Sequence, residues 1–138
     1  MHKPTLLVCL LLTALAVAGA AWSSSATSQS SGFHGWAQID PGGGSPTLVR
    51  ANGFTRVSSP LTGVYCLTGA PGVDLTDTAP VASQEANLSS TLGLVVPRRI
   101  GAPNSSCPSG QLQVDTFDAG SASSPTLVNT VGFDIYIP

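Results

Sequence analysis

The sequence has few charged residues, and this scarcity excludes several classes of function. Charged residues make up 9% of the 138-residue chain, and its only lysine is Lys3. Beyond residue 20, four arginines stand against seven carboxylates, so the chain is weakly acidic and has no basic cluster for phosphate backbones or anionic lipids. We therefore expect no nucleic-acid partner.

Histidine is nearly absent as well, which limits both catalysis and metal binding. Beyond residue 20 the only imidazole is His34, and no serine stands in a G-x-S-x-G elbow. A zinc site needs at least three Cys or His ligands, and the pair Asp74-x-x-Asp77 lacks the surrounding pattern of a calcium-binding loop. We predict no catalytic, cofactor-binding or metal-binding residues, and therefore no enzyme.

Residues 1–20 have the pattern of a secretory signal peptide. A short basic start precedes an apolar run from Leu6 to Val17, and the small residues Ala18-Gly19-Ala20 follow it. A retained membrane anchor is the alternative, but the apolar run is shorter than the ~20 residues that a spanning helix needs. We predict secretion, cleavage after Ala20 and no later membrane association. N-terminal sequencing of the secreted protein tests this.

The remaining chain divides into a tail and a domain. Residues 21–32 are small and polar, so we predict a flexible serine-rich tail. Residues 33–138 alternate apolar and polar positions with a period of two, which predicts one all-β domain. The candidate strands are Trp36 to Asp40, Thr47 to Ala51, Phe54 to Ser58, Val64 to Thr68, Pro80 to Ser83, Leu92 to Val96, Gln111 to Phe117 and Val131 to Ile137.

These strands predict an antiparallel β-sandwich of about seven to eight short strands, with a partly open β-barrel as the alternative. Asn52-Gly53 between two strands predicts a two-residue hairpin turn. The segments 45–54 (SPTLVRANGF) and 124–133 (SPTLVNTVGF) are identical at seven of ten positions. Coincidence in a Ser/Thr/Pro-rich chain and a duplicated strand-turn-strand element both explain that identity.

The cysteines predict one disulfide. Cys9 leaves with the signal peptide, which leaves Cys66 and Cys107 in an oxidising compartment. Neither has a cationic sequence neighbour that would stabilise a reactive thiolate. We predict that Cys66 and Cys107 form a structural disulfide between two strands or sheets.

Five residues are candidates for a binding surface. Tyr65 and Tyr136 on outward faces, with Trp36 near the first strand, could stack on sugars or anchor a protein partner. Arg98 and Arg99 could form an exposed anion-binding pair. Packing within the domain is the structural alternative for the aromatic residues, and a solvated strand end is the alternative for the arginines.

A set of short motifs spans most of residues 33–138, and its pattern resembles small secreted proteins of actinobacteria. The motifs are Gly35, Ala37, Ile39, Gly63-Val64-Tyr65-Cys66, Cys107-Pro108, Gly110-Gln111 and Val114 to Asp118. Such proteins are mostly uncharacterised, so the resemblance implies a secreted bacterial protein and no active-site residue.

Together these patterns predict a monomeric extracellular module that binds a ligand or has a structural role at a surface. Its expected partner is an unidentified extracellular protein or a cell-wall glycan. An extracellular hydrolase or a protease inhibitor is the alternative, with residues 101–106 as the candidate inhibitory loop.

Overall fold

Short strands separated by turns rich in glycine and proline make up most of the regular structure. A computed structural model describes residues 35–76, 79–120 and 124–138. Its strands are β1 (Gly35–Asp40), β2 (Thr47–Asn52), β3 (Phe54–Leu61), β4 (Val64–Gly69), β5 (Val81–Gln84), β6 (Gly93–Arg98), β7 (Leu112–Asp118) and β8 (Phe133–Ile137).

The strands form two four-stranded sheets in which every neighbouring pair is antiparallel. Sheet I has the order β2-β1-β8-β5, and sheet II has the order β3-β4-β7-β6. The two sheets are separate and neither closes on itself, so the predicted β-sandwich is confirmed over the barrel alternative. All eight predicted strands are present, with ends shifted by up to three residues.

The core lies between the sheets and follows from the period-two alternation of the strands. In sheet I it is formed by every second residue of β1 and β8, and in sheet II by inward residues of β4 and β7. Its fully buried members include Ala37, Ile39, Tyr65, Leu67, Leu112, Val114, Phe133, Ile135 and Ile137. Tyr65 and Phe133 join the two sheets through an edge-to-face ring contact with centroids 5.3 Å apart.

The hairpin predicted at Asn52-Gly53 is wrong. Gly53 has a positive φ of 83°, which glycine adopts without strain, and the chain turns there from sheet I into sheet II. The two-residue turn between paired strands lies instead at Thr62-Gly63, which joins β3 to β4. A local turn signal marks a bend, but it does not specify which sheet receives the next strand.

The repeated segments 45–54 and 124–133 occupy comparable places in the two sheets. The first runs along β1 in sheet I as β2 and then enters sheet II, where Phe54 begins β3. The second runs beside β7 of sheet II, where Leu127 bridges to Phe117, and then enters sheet I, where Phe133 begins β8. Each copy therefore crosses the sandwich, in opposite directions, and places its phenylalanine in the core.

Leu92, Leu94 and Val96 form an apolar side of the β6 segment, but this side faces outward. These side chains are 74%, 53% and 43% exposed, while Val95 packs against the core. A Cβ atom at Gly93 would collide with the side chain of Val131, so this position faces inward and sets the phase of β6. The strand lies at the edge of sheet II, where it accommodates Pro97.

The predicted signal peptide (1–20), the predicted tail (21–32) and His34 lie outside the described residues, so the predictions made for them stay predictions. Within the described ranges, no helix is long and apolar enough to cross a membrane.

Candidate functional site

The predicted pairing of Cys66 with Cys107 is confirmed, but the prediction that it joins two strands or sheets is wrong. The disulfide links β4 in sheet II to the loop of residues 99–111, hereafter the covering loop, with the two Cα atoms 5.5 Å apart. Cys66 is almost completely buried on the outer face of sheet II. Because both sulfurs are bonded, neither cysteine is a nucleophile or a metal ligand.

The covering loop lies across the outer face of sheet II and buries polar side chains there. Gln113 accepts hydrogen bonds at Oε1 from the Ser105 hydroxyl (3.0 Å) and the Ser106 backbone N–H (2.8 Å). Its Nε2 donates to Oδ1 of Asp115 (2.7 Å), and Arg98 donates to Oδ2 of Asp115. Every one of these buried polar atoms has a partner, so the network holds the loop in place.

This arrangement separates the roles of the two arginines. Arg98 forms an ion pair with the buried Asp115 on the neighbouring strand, so its guanidinium group is already paired. Arg99 is exposed at the start of the covering loop. The structure therefore does not present the two guanidinium groups as a matched anion-binding pair.

Tyr65 is not part of an exposed surface, and its assignment to one is wrong. The side chain is fully buried between the sheets, and its hydroxyl donates to Oδ1 of Asn129 (3.3 Å). Burial raises the pKa of Tyr65, so the phenol stays neutral. The residue stabilises the core and is not available to a ligand.

Trp36 and Tyr136, in contrast, meet on the outer face of sheet I. They are direct register partners on β1 and β8, the two central strands, and their sequence neighbours Ala37 and Ile135 point into the core. Trp36 is partly exposed and Tyr136 is 46% exposed. Val81 of β5 is the next register partner in this row and is 61% exposed. We call the outer surface of sheet I the aromatic face.

A polar row runs beside the aromatic row on the same face. Cross-strand register aligns Arg50, Gln38, Asp134 and Ser83 across the four strands of sheet I. The residues of this row are partly or fully exposed, and Gln38 hydrogen bonds to Asp134. The aromatic rings therefore lie two residues along their strands from amide, hydroxyl and charged groups.

Glu85 adds a second carboxylate next to Asp134, because its backbone N–H donates to the Gly132 carbonyl (2.8 Å) just beyond the paired residues Ser83 and Asp134. Its Oε1 is held by the backbone N–H (3.0 Å) and the side-chain amide (2.9 Å) of Asn87, in the short 3₁₀ turn that follows β5. Partial burial raises the pKa of Asp134, and the neighbouring Glu85 carboxylate raises it further. Two carboxyl groups thus share a small area of the aromatic face.

A second exposed apolar surface lies at the edge of sheet II. It is formed by Leu94 and Val96 of the edge strand β6, which are 53% and 43% exposed. On the neighbouring central strand, the charged side chain of Asp115 already forms an ion pair with Arg98. This surface is aliphatic and offers few polar groups to orient a ligand.

The sequence patterns singled out Trp36 and Tyr136 but missed their neighbours on the aromatic face. Gln38, Asp134 and Val81 lie at outward positions of predicted strands, so the alternation indicated their side of the sheet. Their proximity depends on the pairing of β1 with β8, which are far apart in the sequence. No local pattern specifies that pairing.

In the part of the chain that the structure describes, no group of three or more His, Cys, Asp or Glu side chains could hold a metal ion. The hydrolase alternative depends on His34, which is not among these residues. The candidate inhibitory loop, 101–106, contains turns, and Asn104 has a positive φ of 63°. It therefore departs from the extended form of a bound peptide substrate.

The chain matches no protein-family model, and neither a curated protein nor a solved structure shows significant similarity to it. The resemblance to small secreted actinobacterial proteins stays a prediction.

Proposed function

We propose that this protein is a secreted, monomeric, non-catalytic module that binds an extracellular ligand through its aromatic face. The observation that carries the proposal is the register pairing of Trp36 with Tyr136 on the two central strands of sheet I. Large aromatic side chains lose little conformational entropy on contact and are enriched at binding hot spots. A soluble domain gains no folding stability from keeping them exposed.

The contrast between the two outer faces supports this location. Sheet II is covered by its own loop, and its buried residues Gln113 and Asp115 hydrogen bond within the protein. Sheet I presents side chains of both kinds, apolar and hydrogen-bonding, on strands whose backbone is already paired. A rigid sheet is a precise support for a binding surface.

Capture by variants of the aromatic face tests the proposal. The mature protein is immobilised and exposed to cell walls and secreted proteins of the producing organism. Trp36→Ala and Tyr136→Ala are each expected to reduce capture about tenfold, the effect of losing an aromatic anchor. Leu94→Ala, at the edge of sheet II, is the matched control and is expected to capture as the unmodified protein does.

Equal capture by the aromatic variants and the unmodified protein would contradict the proposal. So would a loss in Leu94→Ala that is as large as the loss in Trp36→Ala. Thermal unfolding of each variant verifies that the fold is retained.

A further inference from the structure

The charges on the aromatic face indicate the kind of ligand that it suits. Asp134 and Glu85 lie together there, and Arg50 is at the far end of the polar row, on the edge strand. A cation would be attracted both by this carboxyl pair and by the π faces of nearby aromatic rings. Charge complementarity therefore favours a ligand with positively charged groups.

The backbone of the aromatic face favours a glycan over a peptide. Both strands that carry the aromatic pair are hydrogen bonded on each side, β1 to β2 and β8, and β8 to β1 and β5. A peptide cannot pair with either of these central strands, because only the edge strands β2 and β5 offer free backbone groups. Contact must be made by side chains alone.

The side chains form two rows that match the two surfaces of a sugar. A pyranose ring has an apolar face of C–H groups, which packs on aromatic rings, and a rim of hydroxyls. Trp36 and Tyr136 supply the first contact, while Gln38, Ser83 and Asp134 supply donors and acceptors for the second. The rows run across the strands, so an extended chain could lie along both.

We propose that the aromatic face binds a glycan with free, protonated amino groups, its sugar rings on Trp36 and Tyr136 and an ammonium group beside Asp134 and Glu85. This inference rests on the proposed function and narrows it to one ligand class. Proximity of the two carboxylates is unfavourable in the free protein, and an ammonium group between them relieves their repulsion. Asn87 holds Glu85 in position for that contact.

Calorimetric titration with two glucosamine hexamers tests the inference, one with free amines and the other fully N-acetylated. They have the same length and linkage and differ in charge. The free-amine hexamer is expected to bind about two- to fivefold more tightly, the range that an exposed ion pair supplies. The preference should decrease at high ionic strength because salt screens exposed charges.

Variants separate the two parts of the site. Trp36→Ala is expected to weaken binding of both hexamers about tenfold, and Tyr136→Ala provides the same test if Trp36→Ala does not fold. Asp134→Asn should bring the affinities for the two hexamers closer together. It should weaken binding of the N-acetylated hexamer less than Trp36→Ala does, because the amide oxygen can still accept a hydrogen bond from a sugar hydroxyl. Leu94→Ala is expected to alter neither affinity.

Several outcomes would overturn the inference. Equal binding of the two hexamers by the unmodified protein would show that charge is not recognised. Tighter binding of a lysine hexapeptide than of the free-amine hexamer would assign the face to a basic peptide. Absence of glycan binding, combined with capture of another ligand that Trp36→Ala abolishes, would refute the glycan and retain the proposed function.

Discussion

The outer faces of the two sheets differ in how their polar side chains are used. On sheet II the covering loop buries Gln113 and Asp115, and every hydrogen bond that they make stays within the protein. On sheet I the aromatic face stays exposed, and its carboxyl groups crowd each other. The outer face of sheet II therefore stabilises the fold. The outer face of sheet I stabilises it less, and its side chains remain available for contact.

The largest expected effect is on the core that both faces share. Phe133 is fully buried and packs against Tyr65 of the opposite sheet, so Phe133→Ala should cost about 3–5 kcal/mol of unfolding free energy. Both outer faces should be lost together, because both sheets pack on this core. Chemical denaturation measures the loss. Val81→Ala on the exposed row is the control, with less than about 0.5 kcal/mol expected. A loss below about 1 kcal/mol for Phe133→Ala would mean that β8 is wrongly oriented.

Removing the disulfide should affect sheet II specifically. Cys66 and Cys107 are separated by 41 residues, and closing a loop of that length is worth roughly 4 kcal/mol in the chain-entropy model. The double variant Cys66→Ala, Cys107→Ala should lose most of that stability, as measured by urea denaturation. Backbone amides of the covering loop should also exchange faster than those of β1. Thiol titration of the unreduced, unfolded mature protein should detect no free sulfhydryl, and two reactive thiols would contradict the assignment.

The two arginines offer a matched pair within the sheet II face. Arg98→Ala leaves the carboxylate of Asp115 buried without its ion-pair partner, at a cost of about 1–3 kcal/mol. Arg99→Ala removes an exposed charge and should change stability by less than about 0.5 kcal/mol. Equal effects of the two substitutions in chemical denaturation would show that the buried network does not stabilise the loop.

The smallest expected change in stability is on the aromatic face, and it is an increase, whereas the other substitutions reduce stability. The pKa of Asp134 is raised in the folded protein, so the folded state binds this proton more tightly than the unfolded chain does. Its contribution to stability is therefore present at low pH and is lost as pH rises through the folded-state pKa. Asp134→Asn cannot ionise, so it should raise the denaturation midpoint slightly at neutral pH. It should have little effect below the ordinary carboxyl range. A lower midpoint at neutral pH would show that ionised Asp134 stabilises the fold.

Local sequence patterns were sufficient to predict the strands of this fold. Period-two alternation located all eight, because each strand places alternate residues against the core. The pairing of cysteines followed from their even number in an oxidising compartment. These predictions depend on residues that are close in sequence or few in number.

The burial of Tyr65 and the phase of β6 depend on contacts between residues far apart in the sequence, so local patterns could not predict them. Tyr65 was expected outside because β4 is apolar on both sides, and alternation cannot specify which side is outward in such a strand. That strand is apolar throughout because the covering loop buries its second side. The phase of β6 was likewise decided by the contact of Gly93 with Val131, which the sequence pattern does not reveal.

The pairing of β1 with β8 affects when the domain can fold during its synthesis. β1 and β8, the first and last strands that the structure describes, lie side by side at the centre of sheet I. The centre of this sheet is therefore incomplete until residues 133–137 have been made. A chain emerging from the ribosome must therefore delay its final collapse until nearly the whole domain is available. Such a delay would be compatible with the secretion proposed above, in which the chain crosses a membrane unfolded and folds afterwards.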